Sequence, residues 1–394
     1  VNLNGPVNAD AAANNRTLQI LAGVTQATAI GGTQPVQSLS ITAGSATLSG
    51  SISTRDGGVS LTLSSIAELN GTIRTDQGTN AGPITISGGG VFRVQSNVVF
   101  DTDHATGTHG AVSIHGALDA NIPAATHTVQ VIAGGGSVGF GPIGAINPIQ
   151  TLTITSALNA GLSSVVTKDG GIAVTASGDI TLNGNLDSSF AATDGPISLS
   201  GNVVLGVASV TLTSGQGGLS ISGGTIATTG SALALNNTSP SAGAVSSQFT
   251  GTGSFTKQGT GSINLTGTSA GYTGTTTVNG GTLFVNGSIA GSAVTVQTGA
   301  TLGGTGTTGP LTIDSGGSHK PGNSPGITTV NGNYIENGTL EIEFLNHTGA
   351  AGAGYDQVQV IGGGSVTLGG TSLITVPYIG TAGTFDPAAA QVFV

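Results

Sequence analysis

The chain carries short runs of alternating apolar and polar positions, separated by glycine-rich corners. Alternate side chains of a β-strand point to opposite faces, so each run predicts a short strand with one buried face. One template, two small residues followed by apolar–x–apolar, recurs mostly at intervals of about 22 to 28 residues, which is typical of solenoids. No segment has the periodicity of an amphipathic helix. Copies of the template begin at Gly57, Gly82, Gly110, Gly170, Gly195 and Gly217, with a looser copy at Gly136.

This template predicts coils that stack on one another as parallel sheets around a narrow apolar core. Three of its glycines, Gly170, Gly195 and Gly217, are expected at coil corners, some of them with positive φ, because a Cβ disfavours that conformation. Six apolar residues of the template are expected to point inward: Leu61, Ile86, Ile114, Val174, Leu199 and Ile221.

Aspartates recur just before corner glycines, at Asp56, Asp169 and Asp194. We expect each to cap its turn by accepting hydrogen bonds from nearby backbone N–H groups. Aligned aspartates on several coils are also compatible with a ladder of calcium ions. The aspartate-rich nonapeptide consensus of such ladders is absent, so the capping role is favoured.

Residues 251–304 contain shorter runs, each three to five residues long and punctuated by Gly or Asn-Gly. Short threonine runs begin at Thr275 and Thr305, but they do not repeat once per coil, which argues against a flat ice-binding face. Seven residues are spaced to lie on one face of their strands: Ile263, Leu265, Thr277, Leu283, Val285, Val294 and Val296. Four aromatic residues are expected to fill the core and not to stack on sugars: Tyr272, Phe284, Tyr334 and Phe344.

The segment that begins Lys257-x-Gly-x-Gly-x-Ile-x-Leu-x-Gly continues through Tyr272-Thr-Gly-Thr-Thr-x-Val-Asn-Gly-Gly-Thr-Leu-x-Val-Asn-Gly. It is followed by Lys320-Pro-Gly-Asn-Ser-Pro-Gly, Thr328-Thr-Val-Asn-Gly-Asn-Tyr and Tyr355-Asp-Gln-Val-Gln-Val. Together these motifs resemble the autotransporter-associated β-strand repeat of bacterial autotransporter passengers, over roughly residues 251–376. The resemblance implies a right-handed parallel β-helix exported to the cell surface, and it implies no enzymatic activity. The N-terminal template more loosely resembles secreted β-helical adhesins of the filamentous-haemagglutinin class.

The patterns divide the chain into five predicted segments within a single elongated rod, an all-β right-handed parallel β-helix of about 15 coils. The chain has no initiator methionine, signal peptide or long apolar run, so we expect it to be part of a longer protein. The segments are N-terminal coils or a cap (1–35), haemagglutinin-like repeats (36–235), an irregular join (236–250), autotransporter-type repeats (251–376) and a C-terminal strand segment (377–394).

Composition supports an ordered chain and excludes several partners. The chain has 70 glycines and only 6% charged residues, yet it is 37% hydrophobic, with a mean hydropathy of +0.26. Disorder requires low hydrophobicity and high net charge. Seven basic residues in a chain of net charge −10 argue against binding to nucleic acid or anionic lipid. Without cysteine, disulfides and thiolate metal sites are excluded.

The densest polar cluster contains Asp101, Asp103 and His104, followed by His109 and His115. Asp and His side chains bind divalent cations when their spacing is suitable. This segment lacks apolar alternation and its spacing is irregular, so we expect a solvated loop and no metal site. The sequence predicts no cofactor.

Glu341 and Glu343 form a close pair of glutamates on one face of a predicted strand, the kind of paired carboxylates that glycoside hydrolysis would need. No lysine or arginine lies near them in sequence, and Lys257 and Lys320 are expected within repeat turns. No Gly-Asp-Ser-Gly-type segment is present, and no Gly-x-Ser-x-Gly string lies on a predicted strand-to-helix elbow. We therefore predict no catalytic residue and no enzymatic activity.

The predicted function is that of a secreted or cell-surface adhesin or stalk, which contacts glycans or proteins of host or neighbouring cells, or matrix. One alternative is a filament subunit that associates head to tail through Val1–Leu3 and Gln391–Val394. Another is a polysaccharide lyase or glycoside hydrolase built on a β-helix. The segment itself is not expected to insert into a membrane.

Overall fold

The computed structural model describes residues 1–10, 16–190, 194–346, 348–370 and 372–380. The chain divides into two compact units, Val1–Gly217 and Gly218–Val394. The described residues are all-β without a helix, and their parallel strands form a β-solenoid of about 15 turns. The predicted β-solenoid fold class is therefore confirmed. Residues 391–394, one of the proposed association segments, lie outside the described residues.

The first unit contains strands β1 to β17. Their bounds are β1 Asn2–Leu3, β2 Thr17–Ala27, β3 Val36–Leu48, β4 Ile52–Leu63, β5 Ala67–Arg74, β6 Ile84–Ser87, β7 Val91–Asp101, β8 Val112–Ile114, β9 Ala117–Ala120, β10 Thr128–Ile132, β11 Val138–Phe140, β12 Ile149–Ser156, β13 Ala160–Leu162, β14 Val165–Leu182, β15 Leu186–Asp187, β16 Ile197–Leu205 and β17 Ser209–Ser214.

The second unit contains strands β18 to β38. Their bounds are β18 Leu219–Ser222, β19 Thr225–Ala227, β20 Ala232–Asn237, β21 Gly243–Val245, β22 Gln248–Thr250, β23 Phe255–Gln258, β24 Ser262–Leu265, β25 Thr276–Val278, β26 Gly281–Val285, β27 Ser288–Ile289, β28 Val294–Val296, β29 Ala300–Gly304, β30 Thr307–Thr308, β31 Leu311–Ile313, β32 Ser318–Pro321, β33 Ile327–Asn331, β34 Tyr334–Glu336, β35 Thr339–Glu341, β36 Gln357–Ile361, β37 Val366–Leu368 and β38 Leu373–Thr375.

Each coil of the first unit runs along three faces of the solenoid in turn, and each face buries a column of apolar residues paired from one coil to the next. The first column is Ile20, Ile41, Leu61, Ile86, Ile114, Phe140, Leu162, Leu182 and Leu205. The second is Ala46, Ala67, Phe92, Leu118, Ile143, Val165, Leu186 and Leu212. The third is Ile30, Ile52, Ile73, Phe100, Val131, Ile154, Val174 and Leu199.

All six template residues that were expected to point inward are buried, but they do not share one column. Leu61, Ile86 and Ile114 belong to the first column. Val174 and Leu199 belong to the third. The same sequence template therefore occupies different corners of the solenoid, because coil length varies and moves the glycine pair from one corner to another.

The two best copies of the template show how a corner forms. The pairing of β3 with β4 shifts where Val36 faces Thr54 and Ser38 faces Gly58, so the residues between Thr54 and Gly58 bulge. The pairing of β12 with β14 shifts in the same way between Thr167 and Gly171. Each bulged strand has two more residues than its partner here, and extra residues in one strand bend it and increase its twist. In these two copies the polar residues before the glycine pair, Thr54–Asp56 and Thr167–Asp169, therefore lie in the bulge that turns the chain.

The expectation that some of Gly170, Gly195 and Gly217 have positive φ is wrong. Positive φ occurs one residue later, with Gly171 at 76° and Gly218 at 80°. Gly195 is required for a different reason, the close approach of the preceding coil. A Cβ built on Gly195 would lie 2.1 Å from the Gly171 backbone nitrogen and 2.5 Å from its Cα. The corner thus stacks glycine directly on glycine.

We expect Gly195→Ala to lower the free energy of unfolding by about 1–3 kcal/mol, because the new methyl group overpacks a corner whose backbone is held by ladder hydrogen bonds. Gly139→Ala is the matched control, since a Cβ there would meet nothing within 4 Å. Urea denaturation of both variants measures the difference. Equal midpoints would contradict the stacking argument.

In the second unit the inward columns are interrupted by polar residues. One column is Leu235, Lys257, Val278, Val296, Ile313 and Glu336. The next is Ile263, Leu283, Leu302, His319 and Leu340. The last is Ile289, Thr308 and Val330. All of these side chains are buried.

The inward assignment of Thr277 is wrong. Its neighbours Thr276 and Val278 are fully buried, and Thr277 lies on the outer face of β25. Successive side chains of a strand point to opposite faces, so Thr277 must point outward when Val278 points inward. The other six residues of that predicted set are buried as expected.

Candidate interaction surface

The Asp/His cluster of the first unit is divided among separate partners. Asp101 ends β7 and its carboxylate pairs with Arg74 at 2.7 Å. Asp103 pairs with His109 at 2.9 Å. His104 lies with Nε2 3.1 Å from the Gly78 carbonyl, and its Nδ1 accepts the Gly107 N–H at 2.8 Å. Among the described residues, no three acidic or imidazole side chains converge as a metal site.

The side chains of Asp56 and Asp119 cap the next coil instead of their own turn. Asp56 Oδ1 accepts the backbone N–H groups of Thr79 and Asn80, each at 2.7 Å. Asp119 accepts those of Ile146 and Asn147 in the same way, at 2.9 and 3.2 Å. Of the three aspartates expected to accept backbone N–H groups, Asp56 does so, with partners that lie 23 and 24 residues away. For Asp169 and Asp194 this role stays a prediction.

The pKa of Asp56 is shifted by its surroundings. Desolvation acts to raise it, but the backbone N–H groups of Asn80 and Thr79 favour the ionised form. The net effect lowers the pKa below the ordinary value. These aspartates therefore link consecutive coils, because each accepts hydrogen bonds from backbone N–H groups of the following coil.

Lys320 and Glu341 are brought together by the coil register, although 21 residues separate them in sequence. Lys320 Nζ lies 3.1 Å from Glu341 Oε2 on the outer face of the second unit. Lys320 lies in β32, and the expectation that it belongs to a turn is wrong. Glu343 offers its backbone N–H to Asp356 at 2.8 Å. The Glu341 carboxylate thus has a cationic partner that its sequence neighbours do not provide.

Lys257 is the largest departure from the sequence prediction, since it lies inside the solenoid and not in a turn. It occupies an inward position of β23 and is fully buried. Its Nζ donates to the carbonyl oxygens of Gln258, Gly259 and Gly280 at 2.7, 2.9 and 2.9 Å. Burial lowers its pKa from 10.5 to about 8. The Lys257 ammonium therefore donates to three backbone carbonyls on two consecutive coils.

The folded-state pKa of Lys257 is lower than that of the unfolded chain, so the unfolded chain binds more protons between these two values. We expect the free energy of unfolding of the second unit to rise by about 2 kcal/mol from about pH 8 to pH 10. Lys257→Met should remove this rise and lower stability, because the three carbonyls lose their donor. Lys320→Met is the exposed control. Identical pH profiles for the wild type and Lys257→Met would contradict the assignment.

A second buried polar group joins Tyr334, Glu336 and His319. The Tyr334 hydroxyl donates to Glu336 Oε2 at 2.5 Å and lies 3.0 Å from His319 Nδ1. Burial raises the pKa of Glu336 and lowers that of His319 to about 3. Neutral His319 can donate its Nδ1–H to the tyrosine oxygen. Because these side chains are buried, the network organises the core and is not a contact surface.

The outer faces of the second unit carry hydroxyl groups in registered rows. Each row carries one serine or threonine on each successive coil, although the threonine runs at Thr275 and Thr305 are not themselves repeated. The rows are Thr256, Thr277, Thr295 and Thr312; Ser262, Thr282, Thr301, Ser318 and Thr339; and Thr268, Ser288, Thr307 and Thr329. These faces are polar, almost uncharged and regular at the strand spacing of about 4.8 Å.

Phe284 interrupts this polar surface and lies outside the core, where it was not expected. Tyr272, Tyr334 and Phe344 are buried as predicted, whereas Phe284 is half-buried between the inward residues Leu283 and Val285. It faces Gly303 of the next coil, and a Cβ there would lie 2.9 Å from ring atoms Cδ1 and Cε1. The glycine thus makes room for the ring to extend over the neighbouring strand.

A comparison with known proteins gives this surface a context. The chain is similar to an autotransporter adhesin. The relative is "Adhesin BmaC autotransporter" of Brucella suis biovar 1 (strain 1330), with 35% identity over 156 residues. The similarity covers 38% of this chain and 4% of the adhesin. No family model and no solved structure matches the chain.

This relative and the β-solenoid fit an autotransporter passenger adhesin, which confirms the resemblance inferred from the repeat motifs. They support a surface adhesin in general. The relative's name points to contact with external surfaces and to a secreted or cell-surface location. No helix among the described residues has the length and hydrophobicity to cross a membrane.

Proposed function

We propose that this chain is a non-enzymatic segment of a secreted or cell-surface adhesin, which presents its coil faces to host cells, neighbouring cells or matrix. The observation that carries the proposal is the similarity to the Brucella adhesin. The regular hydroxyl rows on the outside of the second unit support it. Weak contacts repeated on successive coils gain strength through multivalency.

The positions of the acidic side chains also favour binding over catalysis. Hydrolysis of a glycosidic bond by two carboxyl groups requires both to flank the bond that is cleaved. Glu341 is paired with Lys320, and Asp101 is paired with Arg74. Asp56 and Asp119 are occupied by backbone N–H groups. These carboxylates have structural partners, which supports a display role.

The test is attachment of beads coated with the purified chain to cultured epithelial cells and to matrix-coated glass. Beads coated with the heat-denatured chain are the matched control, because they carry the same composition without the solenoid. We expect several-fold more attachment with the folded chain on at least one surface. Equal attachment of both bead types on every surface would contradict the adhesin proposal.

A further inference from the structure

The outer face around Phe284 differs from the other hydroxyl-bearing faces of the second unit. It is formed by β24, β26, β29, β32 and β35. We call its outward residues the Phe284 platform. One row is Asn264, Phe284, Gly303, Lys320 and Glu341, and the neighbouring row is Ser262, Thr282, Thr301, Ser318 and Thr339.

From this arrangement we infer that the Phe284 platform binds a neutral polysaccharide, with one pyranose ring stacked on Phe284. The inference rests on the proposed adhesin function and assigns a ligand class and a place to it. An aromatic ring has a negative face, which attracts the polarised C–H groups on the flat side of a pyranose. Phe284 is the aromatic member of these two rows, and Gly303 leaves its ring over the strand surface.

The groups around the ring match the edge of a sugar, where hydroxyls both donate and accept hydrogen bonds. Thr282 and Thr301 of the neighbouring row offer hydroxyls that do both. Asn264 Oδ1 accepts a hydrogen bond from the Asn286 amide at 2.9 Å, which orients the Asn264 side chain and leaves its NH₂ group as the donor it offers. The platform thus combines an aromatic face, on which a sugar ring can stack, with neighbouring groups that can hydrogen-bond to the sugar hydroxyls.

Charge on the platform favours a neutral glycan over an acidic one. Lys320 and Glu341 are its charged members, and they are paired at 3.1 Å. An acidic sugar would gain no unpaired cation there, and its carboxylate would lie close to Glu341. The paired side chains still offer hydrogen bonds to hydroxyl groups at the edge of the platform.

The spacing between the platform strands allows the site to contact several consecutive sugars of one polysaccharide chain. Phe284 and Lys320 are separated by two strand spacings, or roughly 10 Å. That distance is about the length of two linked pyranose rings in an extended glycan. A single stacked ring therefore leaves the following sugars over Thr301 and the Lys320–Glu341 pair, which lengthens the contact beyond one aromatic residue.

The experiment is affinity electrophoresis of the full chain in gels that contain dextran, mannan, xylan or galactan, with polygalacturonate as the acidic comparison. We expect retardation by at least one neutral polysaccharide, with apparent affinity lowered threefold or more in Phe284→Ala and retained in Phe284→Trp. Thr295→Ala, on a different face, should bind like the wild type. Circular dichroism and urea midpoints establish that each variant is folded.

Three results would overturn the inference: no retardation by any neutral polysaccharide, equal retardation of the wild type and a folded Phe284→Ala, or retardation by polygalacturonate alone. The bead assay separates this failure from failure of the adhesin proposal. If Phe284→Ala beads still attach to cells while no glycan binds, the adhesin proposal stands and the platform assignment is wrong. If the wild-type beads also fail to attach, both are wrong.

Discussion

The backbone ladder between consecutive coils is the constraint on which the rest of each unit depends. Parallel strands about 4.8 Å apart place every residue directly over its partner in the coil before. One inward position therefore defines a whole column, as the nine residues from Ile20 to Leu205 show. The same constraint stacks Gly195 on Gly171, since no side chain fits between two corner backbones at that spacing.

Corners are where the ladder leaves polar groups without partners, and the chain satisfies them in two ways. In the first unit, Asp56 and Asp119 accept N–H groups of the following coil. In the second, Lys257 donates to three carbonyls from inside the core. Buried backbone groups without partners are costly, so these few polar side chains fix the positions at which the chain turns.

Alternation in the sequence predicted the inward residues of the template correctly, because a strand has two faces and the apolar set belongs inside. It did not predict which face of the solenoid each copy occupies, since coil lengths vary and the register is decided by contacts with neighbouring coils. The alternation along the strand places Phe284 outward, between the inward residues Leu283 and Val285. Its aromatic side chain nevertheless favoured the prediction that it is buried in the core. Lys257 was missed for the opposite reason, because its charge argued against burial and its carbonyl partners lie on two coils.

A distance measured across several coils tests most directly whether the coils stack in register. Ser40 and Thr181 lie six ladder steps apart in one outward row of the first unit, so about 29 Å should separate their strands. The chain has no cysteine, so Ser40→Cys and Thr181→Cys give a doubly spin-labelled protein without other changes. Pulsed electron paramagnetic resonance should give a narrow distribution near that distance. A broad distribution, or one centred well above 40 Å, would contradict the stacked-coil account.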